Sequence, residues 1–378
     1  MKVTLIGTLP SIKGLSPYCQ ELLKSLSKNI EVEFIGFKKL YPDFLYPGGT
    51  RVKDNNYKTS EIKNAEIRNI LTYYNPFSWI WGGLTAKGDI IHAQWWSHVL
   101  APIYFMILSI CKVRRKKIVI TVHNVLPHES SKLNRFLNGV ILPFGDVFIV
   151  HTGRNKEALS KIYNISKERI HVIPMGVLFQ NSIKKISKKE ARKFLAIPPG
   201  KNVILHFGNI REYKGLDILL KALKFVVNEL EDVILVIAGK PWIDWERYEK
   251  IINEEALENH VIKKLDFIPP SEIEHYFAAS DIVVLPYKEF ESQSAIGALA
   301  LPFKKPLIVT NVGGLPDFVK DKRVIAKSND MEDLARKIIQ VLNDEKLLEK
   351  LEKDSEELVE KYNWDKIAEK TIELYLGE

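Results

Sequence analysis

The stretch VILHFGNIREYKGLDILLKAL, residues 203–223, decides the fold of this chain. A continuous apolar run ends at Phe207, Gly208 permits a tight exit, and an amphipathic helical pattern follows. Because the apolar run does not alternate with polar residues, it indicates a strand buried on both faces, as in parallel sheets covered by helices. Arg211 and Lys214 lie between strand and helix, where such sheets bind ligands and where two cations would hold phosphate oxygens. A solvated loop with incidental charges is the other interpretation.

The same alternation of apolar runs and amphipathic stretches extends along the whole chain. We predict strands at residues 2–6, 30–37, 89–92, 117–122, 147–150, 170–173, 203–207, 233–238, 261–267, 282–285, 307–309 and 323–325. We predict helices at residues 16–27, 188–196, 216–229, 272–279 and 331–342. This pattern is typical of the α/β class with doubly wound parallel sheets. It divides into domains at 1–178 and 188–362, a linker at 176–187, and a C-terminal amphipathic helix within 363–378.

The composition excludes several classes of protein. The chain has 378 residues, of which 46% are hydrophobic and 27% charged, so it is globular rather than disordered or fibrous. Cys19 and Cys111 are far apart, which excludes a disulfide framework and a zinc cluster and favours a reducing compartment. The first nine residues are too short for a signal segment, and the apolar residues 99–111 fall short of the roughly 20 that span a membrane. We therefore expect a cytoplasmic protein.

The positive charge is concentrated in the first half of the chain. Residues 1–170 carry 24 Lys and Arg against 12 Asp and Glu, and the remainder carries 31 against 35. A basic cluster at 112–117 follows the apolar residues 99–111, a combination also found in segments that contact an anionic membrane peripherally at its cytoplasmic face. The sequence favours the other interpretation, a core helix followed by a charged turn. We expect no nucleic-acid binding, because no recognition module is visible and aromatic residues do not alternate with basic ones.

A second candidate site for an anion lies within residues 279–319. The predicted strand 282–285 leads into a polar loop, residues 288–293, and then into a predicted helix at 294–301. Free N–H groups at the start of that helix favour a phosphate, and Glu291 lies within reach of neutral hydroxyls beside it. The other interpretations are a surface carboxylate at Glu291 and ordinary helix capping by Ser292, Gln293 and Ser294.

The first half carries polar groups at three predicted strand ends. Lys13 and Gly14 form a lone glycine loop after the first strand, a weak phosphate signal without further glycines. His123 follows a buried strand and is a site candidate, although a histidine that only shapes the turn fits equally well. Aromatic and polar groups at another strand end suit sugar stacking, whereas tryptophan pairs are more often core. The acceptor-side candidates from these two strand ends are His92, Trp95, Asn124 and His128.

Several catalytic motifs are absent from the sequence. It has no Gly-x4-Gly-Lys-Ser/Thr loop, no Gly-x-Ser-x-Gly elbow and no His-Glu-x-x-His. It also has no Asp-x-Asp pair that would hold a metal on a diphosphate. We therefore expect no metal and no cofactor, with Arg211 and Lys214 as the groups that would meet the negative charge.

Six motifs occur in the order found in one enzyme family. They are the Lys13-Gly14 loop, TVHNVLPHE, VIPMGV, FGNIREYKGLD, AASDIVVLPY and KPLIVTNVGGLP, spread over some 300 residues. In these the chain resembles the family-4 retaining glycosyltransferases with the GT-B fold. The resemblance implies two Rossmann-like domains facing across a cleft, with a last helix that returns to the first domain. It also implies transfer of a hexose, with retention, from a nucleoside diphosphate sugar to a glycan, glycolipid or small sugar.

The resemblance also implies roles for individual residues. Arg211 and Lys214 match the pair of cations that binds the donor diphosphate in the family. Glu291 matches the glutamate that contacts the donor sugar, and His123 matches the histidine near the anomeric carbon. These four residues are the expected catalytic set. The expected donor-binding residues are Gly14, Asn209, Gly215, Gly239, Ile268, Ser292, Gln293, Ser294 and Ala295.

The chain departs from the family pattern at two positions. Asn209 stands where many relatives have the arginine, so Arg211, two residues later, takes that role. Leu299 stands where the family has a second glutamate, which grips the nucleotide ribose. The second departure leaves open an alternative, namely a non-catalytic or unconventional-donor sugar-nucleotide-binding protein of the same fold.

Overall fold

The computed structural model describes residues 1–12, 14–42, 62–125, 132–178 and 186–377, which form two compact units. One unit comprises residues 1–176 together with 362–378, and the other comprises residues 177–361. The predicted α/β class with two parallel Rossmann-like sheets is confirmed. No helix in the described parts of the chain has both the length and the apolar character needed to cross a membrane.

The first unit is built on a seven-stranded parallel sheet in the order β3-β2-β1-β4-β5-β6-β7. Its strands are β1 (Lys2–Gly7), β2 (Glu31–Lys39), β3 (Ala65–Thr72), β4 (Ile90–Trp95), β5 (Lys117–Val122), β6 (Val147–Val150) and β7 (Ile170–Val172). Its helices are α1 (Ser16–Leu26), α2 (Pro76–Thr85), α3 (Ala101–Val113), α4 (Lys132–Ile141), α5 (Gly153–Tyr163) and the last helix of the chain, α13 (Trp364–Leu376), which packs on α1.

The second unit is built on a six-stranded parallel sheet in the order β10-β9-β8-β11-β12-β13. Its strands are β8 (Asn202–Phe207), β9 (Val233–Ala238), β10 (Val261–Lys264), β11 (Ile282–Leu285), β12 (Leu307–Thr310) and β13 (Ile325–Ala326). Its helices are α6 (Lys188–Phe194), α7 (Leu216–Glu229), α8 (Glu246–Glu254), α9 (Pro270–Ala279), α10 (Ala295–Ala300), α11 (Met331–Asn343) and α12 (Glu345–Lys361).

The strand order reverses once in each sheet. In the first sheet the reversal lies between β1 and β4, and in the second it lies between β8 and β11. At such a point the connections leave on opposite faces, which opens a crevice beyond the carboxyl ends of the two strands. The fold therefore predicts one binding crevice in each unit, at the ends of β1 and β4 and at the ends of β8 and β11.

The structure differs from the prediction at β3 and at β13 for local reasons. No strand was predicted at β3, an edge strand in which polar residues interrupt the apolar run and only the last two side chains are buried. The strand predicted at 323–325 is shorter and later, because Asp321 accepts a hydrogen bond from the backbone N–H of Arg323 and holds residues 322–324 in a 3-10 turn.

Candidate functional site

The exit of β8 is a close-packed turn that only glycine fits. Gly208 has φ +95°, and a Cβ there would lie 2.9 Å from Ile296 Cδ1 and 3.1 Å from Lys214 Nζ. Gly215, at φ +68°, approaches the exit of β11 so closely that a Cβ would lie 2.0 Å from the carbonyl oxygen of Pro286. The side chain of Lys214 is thereby directed back over the end of its own strand, into the crevice where the strand order reverses.

The ammonium group of Lys214 is buried without a counterion. The residue is 7% exposed, its Nζ lies 5.7 Å from the centroid of the Tyr287 ring, and within the described ranges it forms no ion pair or hydrogen bond. Burial, and to a lesser extent the nearby positive charge of Arg211, lowers the pKa of Lys214 to about 7. A buried cation is unfavourable unless an anion meets it, so this position is suited to bind one.

Arg211 adds a second positive charge to the same turn. Its guanidinium lies 4.0 Å from the centroid of the Trp242 ring, and the residue is half-buried. Asn209 is also half-buried, between Gly208 and the buried Ile210. Arginine bridges two oxygens of a phosphate and lysine supplies a point charge, so the pair is suited to a diphosphate.

The loop before α10 places the other expected donor-binding residues. Ser292, Gln293 and Ser294 are buried, whereas Glu291 and Ala295 are exposed. The hydroxyl of Ser294 accepts hydrogen bonds from the backbone N–H groups of residues 296 and 297, at 3.2 and 3.4 Å. This is the capping interpretation that the sequence left open. The helix that follows has only six residues, shorter than the predicted 294–301.

Two further donor-side candidates lie on the loops after neighbouring strands. Gly239 follows β9 and donates its N–H to the carbonyl of Lys264 at 2.9 Å. Ile268 is buried in the loop after β10. Both therefore belong to the same carboxyl edge of the second sheet as Lys214. Gly14, in the first unit, is exposed at φ +91°, in the loop after β1.

The first unit carries a buried chain of hydrogen-bonded side chains at its own crevice. His151 Nδ1 lies 2.9 Å from the carbonyl oxygen of Ile173, and its Nε2 lies 3.1 Å from His123 Nδ1. His123 Nε2 lies 2.9 Å from Gln94 Oε1, and Gln94 Nε2 lies 3.1 Å from His92 Nε2. Burial lowers the pKa of all three histidines, that of His151 to about 4 and that of His92 to about 3, so the rings are neutral at pH 7.

Because the three histidine rings are neutral, the position of the proton on each ring can be assigned from its hydrogen-bond partners. The carbonyl of Ile173 can only accept, so His151 donates from Nδ1 and accepts at Nε2. His123 must therefore donate from Nδ1, which leaves its Nε2 an acceptor. An acceptor cannot pair with the oxygen of Gln94, so the amide turns its NH₂ toward His123 and its oxygen toward His92, an orientation of equal shape. The Nε2 of His123 is thus a hydrogen-bond acceptor.

The far end of the chain of side chains reaches the last helix. In this orientation His92 donates from Nε2 to the oxygen of Gln94, and the same Nε2 lies 2.7 Å from Thr121 Oγ1. The Nδ1 of His92 then accepts a hydrogen bond from the hydroxyl of Tyr375 at 2.5 Å. Because Tyr375 lies on α13, the C-terminal helix is hydrogen-bonded to this set of buried histidines.

The structure corrects two of the acceptor-side expectations. Trp95 and His92 are fully buried, so neither offers a ring face to a sugar. Trp95 packs edge-on against Tyr104 and donates from its indole to Asn138 at 2.9 Å, which is the core interpretation. Asn124 is half-buried and donates to the carbonyl of residue 96. His128 and Lys13 lie outside the described residues.

The basic cluster at 112–117 is mostly engaged within the protein. Lys112 pairs with Asp146, and Lys116 lies 3.9 Å from Asp89. Arg114 and Lys117 donate to backbone carbonyls. The residues that precede the cluster lie in α3, which buries six of its 13 residues against the core of the first unit. The structure therefore supports the core-helix interpretation of this segment. Exposed apolar side chains lie along α2 and just before it, at Tyr74, Phe77, Trp81 and Leu84, and also in and beside α3, at Val99, Phe105 and Val113.

Family models match both units of the chain. Residues 12–178 match the model of glycosyltransferase family 4, and residues 187–358 match the model of the glycosyl transferases group 1. The chain belongs to the family-4 glycosyltransferases with the GT-B fold. No group of three or more His, Cys, Asp or Glu side chains arranged to hold a metal ion is found among the described residues of this glycosyltransferase.

Curated relatives carry the same kind of name. The glycosyltransferase is 27% identical over 245 residues to the D-inositol 3-phosphate glycosyltransferase of Streptomyces bingchenggensis, covering 62% of this chain and 53% of that protein. It is 25% identical over 229 residues to an uncharacterized glycosyltransferase of Methanocaldococcus jannaschii, covering 58% and 57%. The chain thus spans little more than half the length of these relatives.

Solved structures share the fold across the whole chain. Anabaena Alr3699/HepE, solved in complex with UDP and glucose, is 17% identical with a TM-score of 0.76, and both chains are fully covered. A glycosyltransferase from Rickettsia africae is 18% identical with a TM-score of 0.72, covering 99% of this chain and 97% of that one. At this level of identity the likeness establishes the GT-B fold.

Proposed function

We propose that this glycosyltransferase moves a hexose from a nucleoside diphosphate sugar to a glycan, glycolipid or small sugar acceptor, with retention and without a metal. The observation that carries the proposal is the buried ammonium of Lys214, which has no counterion among the described residues and lies beside Arg211. The complex of HepE with UDP and glucose supports a donor of this class.

The positive charge at the end of β8 accounts for the chemistry. Cleavage of a sugar–diphosphate bond places negative charge on the departing phosphate and positive charge on the sugar. Lys214 and Arg211 are preorganised to stabilise that leaving group, the role that a metal ion fills in other diphosphate sites. We assign to Glu291, which is exposed in the adjacent loop, the role of orienting hydroxyls of the transferred sugar. The departing phosphate then accepts the proton of the acceptor hydroxyl on the same face, which retains the configuration.

We also propose a catalytic role for His123, in the first unit. Its ring is neutral and contributes no charge, and its Nε2 would accept a hydrogen bond from a substrate hydroxyl in place of the one from the Gln94 amide. On this assignment the rate does not depend on protonation of His123 between pH 6 and 9.

Calorimetric titration with UDP, GDP and ADP tests the donor site. We expect one nucleotide to bind to the wild type and expect Arg211→Ala to weaken that binding by about tenfold or more, because it removes a charge-assisted contact. Turnover of the matching nucleotide sugars then identifies the donor. Binding that is equal in the wild type and in Arg211→Ala would place the diphosphate elsewhere.

The location of the protein in the cell is part of the same proposal. We propose a cytoplasmic protein that contacts an anionic membrane peripherally, through the exposed side chains of α2 rather than the cluster at 112–117. Phe77, Trp81 and Leu84 lie at helical spacing on one face, and this half of the chain is basic. Flotation with phosphatidylglycerol vesicles should be reduced by Trp81→Ser and unaffected by Lys112→Ser, and the reverse pattern would contradict this assignment.

A second candidate function rests on Leu299. This residue is buried on α10 and offers no carboxylate to a nucleotide ribose. The alternative is a non-catalytic or unconventional-donor sugar-nucleotide-binding protein. Binding of a nucleoside diphosphate sugar without turnover or hydrolysis would favour this alternative, whereas measurable transfer from that sugar would exclude it.

A further inference from the structure

The guanidinium of Arg211 is held by an aromatic ring from a different loop. Its Cζ lies 4.0 Å from the centroid of the Trp242 ring, well within the roughly 6 Å at which a cation and an aromatic face attract. Trp242 lies in the loop between β9 and α8, 31 residues further along the chain. Within the described part of the chain, the guanidinium has no acidic partner.

Backbone pairing fixes the two loops against each other. Beyond the ends of β8 and β9 the chain continues as an isolated parallel bridge between Ile210 and Pro241. Ile210 donates its N–H to the carbonyl of Lys240 at 2.9 Å, and Trp242 donates its N–H to the carbonyl of Ile210 at 3.0 Å. The bridge therefore brings residue 242 beside residue 211 through the backbone, before any side chain is considered.

An arginine at this position needs such support when no ligand is bound. Arg211 and Lys214 carry like charges in one short turn, and their repulsion favours a conformation in which the flexible arginine points to solvent. A guanidinium stacks well on an aromatic face because it is planar and weakly hydrated. The indole thus opposes both the repulsion and the conformational freedom of the side chain.

We propose that Trp242 is a positioning residue that holds the guanidinium of Arg211 where the diphosphate of the donor binds. The inference rests on the proposed function and extends it to a residue outside the family motifs. Trp242 acts through Arg211, so its contribution to nucleotide binding depends on the presence of that arginine.

A double-mutant cycle tests the proposal. Affinities for UDP, GDP and ADP, and for the corresponding nucleosides, are measured by calorimetry for the wild type, Trp242→Leu, Arg211→Ala and the double variant. We expect Trp242→Leu to weaken diphosphate binding by about 3- to 30-fold, the range of a cation–aromatic contact. In the Arg211→Ala background the same substitution should change affinity by less than about twofold.

Matched variants separate positioning from a structural role. Trp242→Phe keeps an aromatic face and should retain most of the affinity, whereas Trp242→Met keeps apolar volume without a ring and should behave like Trp242→Leu. Trp245, whose indole donates to Glu249 Oε2 at 2.7 Å, provides the neighbouring control. Trp245→Phe should leave nucleotide affinity unchanged. Thermal unfolding of each variant shows whether the fold is retained.

The outcomes distinguish this inference from the proposed function. A loss on Trp242→Leu that is equally large in the Arg211→Ala background, or that extends to nucleosides, would show that Trp242 contacts the ligand or supports the loop, and would overturn the inference. A loss on Arg211→Ala with none on Trp242→Leu would overturn it while the donor site stands. Absence of any nucleotide binding, or no effect of Arg211→Ala, would refute the donor site and the inference together.

Discussion

Protonation of Lys214 should control nucleotide binding in the range between pH 7 and pH 9. Burial lowers the pKa of this ammonium to about 7 in the free protein. Because the pKa of a base is lowered, the charged form prevails below pH 7 and is lost above it. Only the charged form attracts a diphosphate. The protonated fraction falls from about one half at pH 7 to about one in a hundred at pH 9, so nucleotide affinity should fall about 50-fold.

Calorimetry in buffers of different ionisation enthalpy measures this effect in two ways. Affinity gives the pH dependence, and the buffer dependence of the heat gives the protons taken up, which we expect to approach one per site at pH 8. Lys214→Arg is the matched variant, because arginine stays charged throughout this range and should give a flat profile. A flat wild-type profile, or an identical slope in Lys214→Arg, would refute the assignment.

The burial of Lys214 should also affect the free energy of unfolding. A lysine whose pKa is lowered in the folded state destabilises that state at pH values below its folded pKa. This penalty is relieved as the pH rises from about 7 toward the ordinary value of a free lysine. Lys214→Met should therefore raise the free energy of unfolding at pH 6 by about 1 to 4 kcal/mol, as when a buried charge is replaced by an apolar group. It should also abolish nucleotide binding. Urea unfolding at pH 6 measures the first effect, and an unchanged or lower stability would contradict the reasoning.

Three further predictions concern other parts of the two crevices. Glu291→Gln should lower kcat for a nucleotide sugar while leaving the affinity for the nucleotide alone within about twofold, because the carboxylate is assigned to the sugar; a larger loss of nucleotide affinity would contradict that role. Gly208→Ala should destabilise the fold by about 1 to 3 kcal/mol and weaken nucleotide binding, because φ is +95° and the Cβ would clash with Ile296 and crowd the ammonium group of Lys214. Its control, Gly200→Ala, has φ +77° with open space around it, so it should show the strain in urea unfolding without the binding loss. Nitrogen NMR of the ring of His123 should show a neutral Nδ1–H tautomer at pH 7, and a protonated Nε2 would refute the proton positions assigned to the three buried histidines.

The fold was predictable wherever strands are apolar throughout. β5, β6, β9 and β11 begin and end at the predicted residues, because central strands of a covered parallel sheet are buried on both faces. β3 was not predictable in this way. It lies at the edge of the sheet, where one side of the strand has no neighbour and polar side chains are tolerated.

Only the site residues that directly follow a predicted strand could be predicted from the sequence. Arg211 and Lys214 follow a buried strand directly, so the rule that ligands bind at strand ends selects them. The same rule selects His151, which follows the predicted strand 147–150 but was not predicted as a site residue. The contact between Arg211 and Trp242 has no such signal, because it depends on the pairing of two loops that are 31 residues apart.

The family motif around Lys214 contains a buried charge that lowers the stability of the folded protein when no ligand is bound. A buried cation without a counterion destabilises the folded protein. This cost is compensated when an anion occupies the turn, since the ligand then supplies the missing charge. The free energy that the empty site leaves uncompensated is therefore available to bind the diphosphate. It is greatest for the leaving group, whose charge grows as the bond to the sugar breaks. In this way a residue that weakens the empty protein would strengthen binding of the transition state.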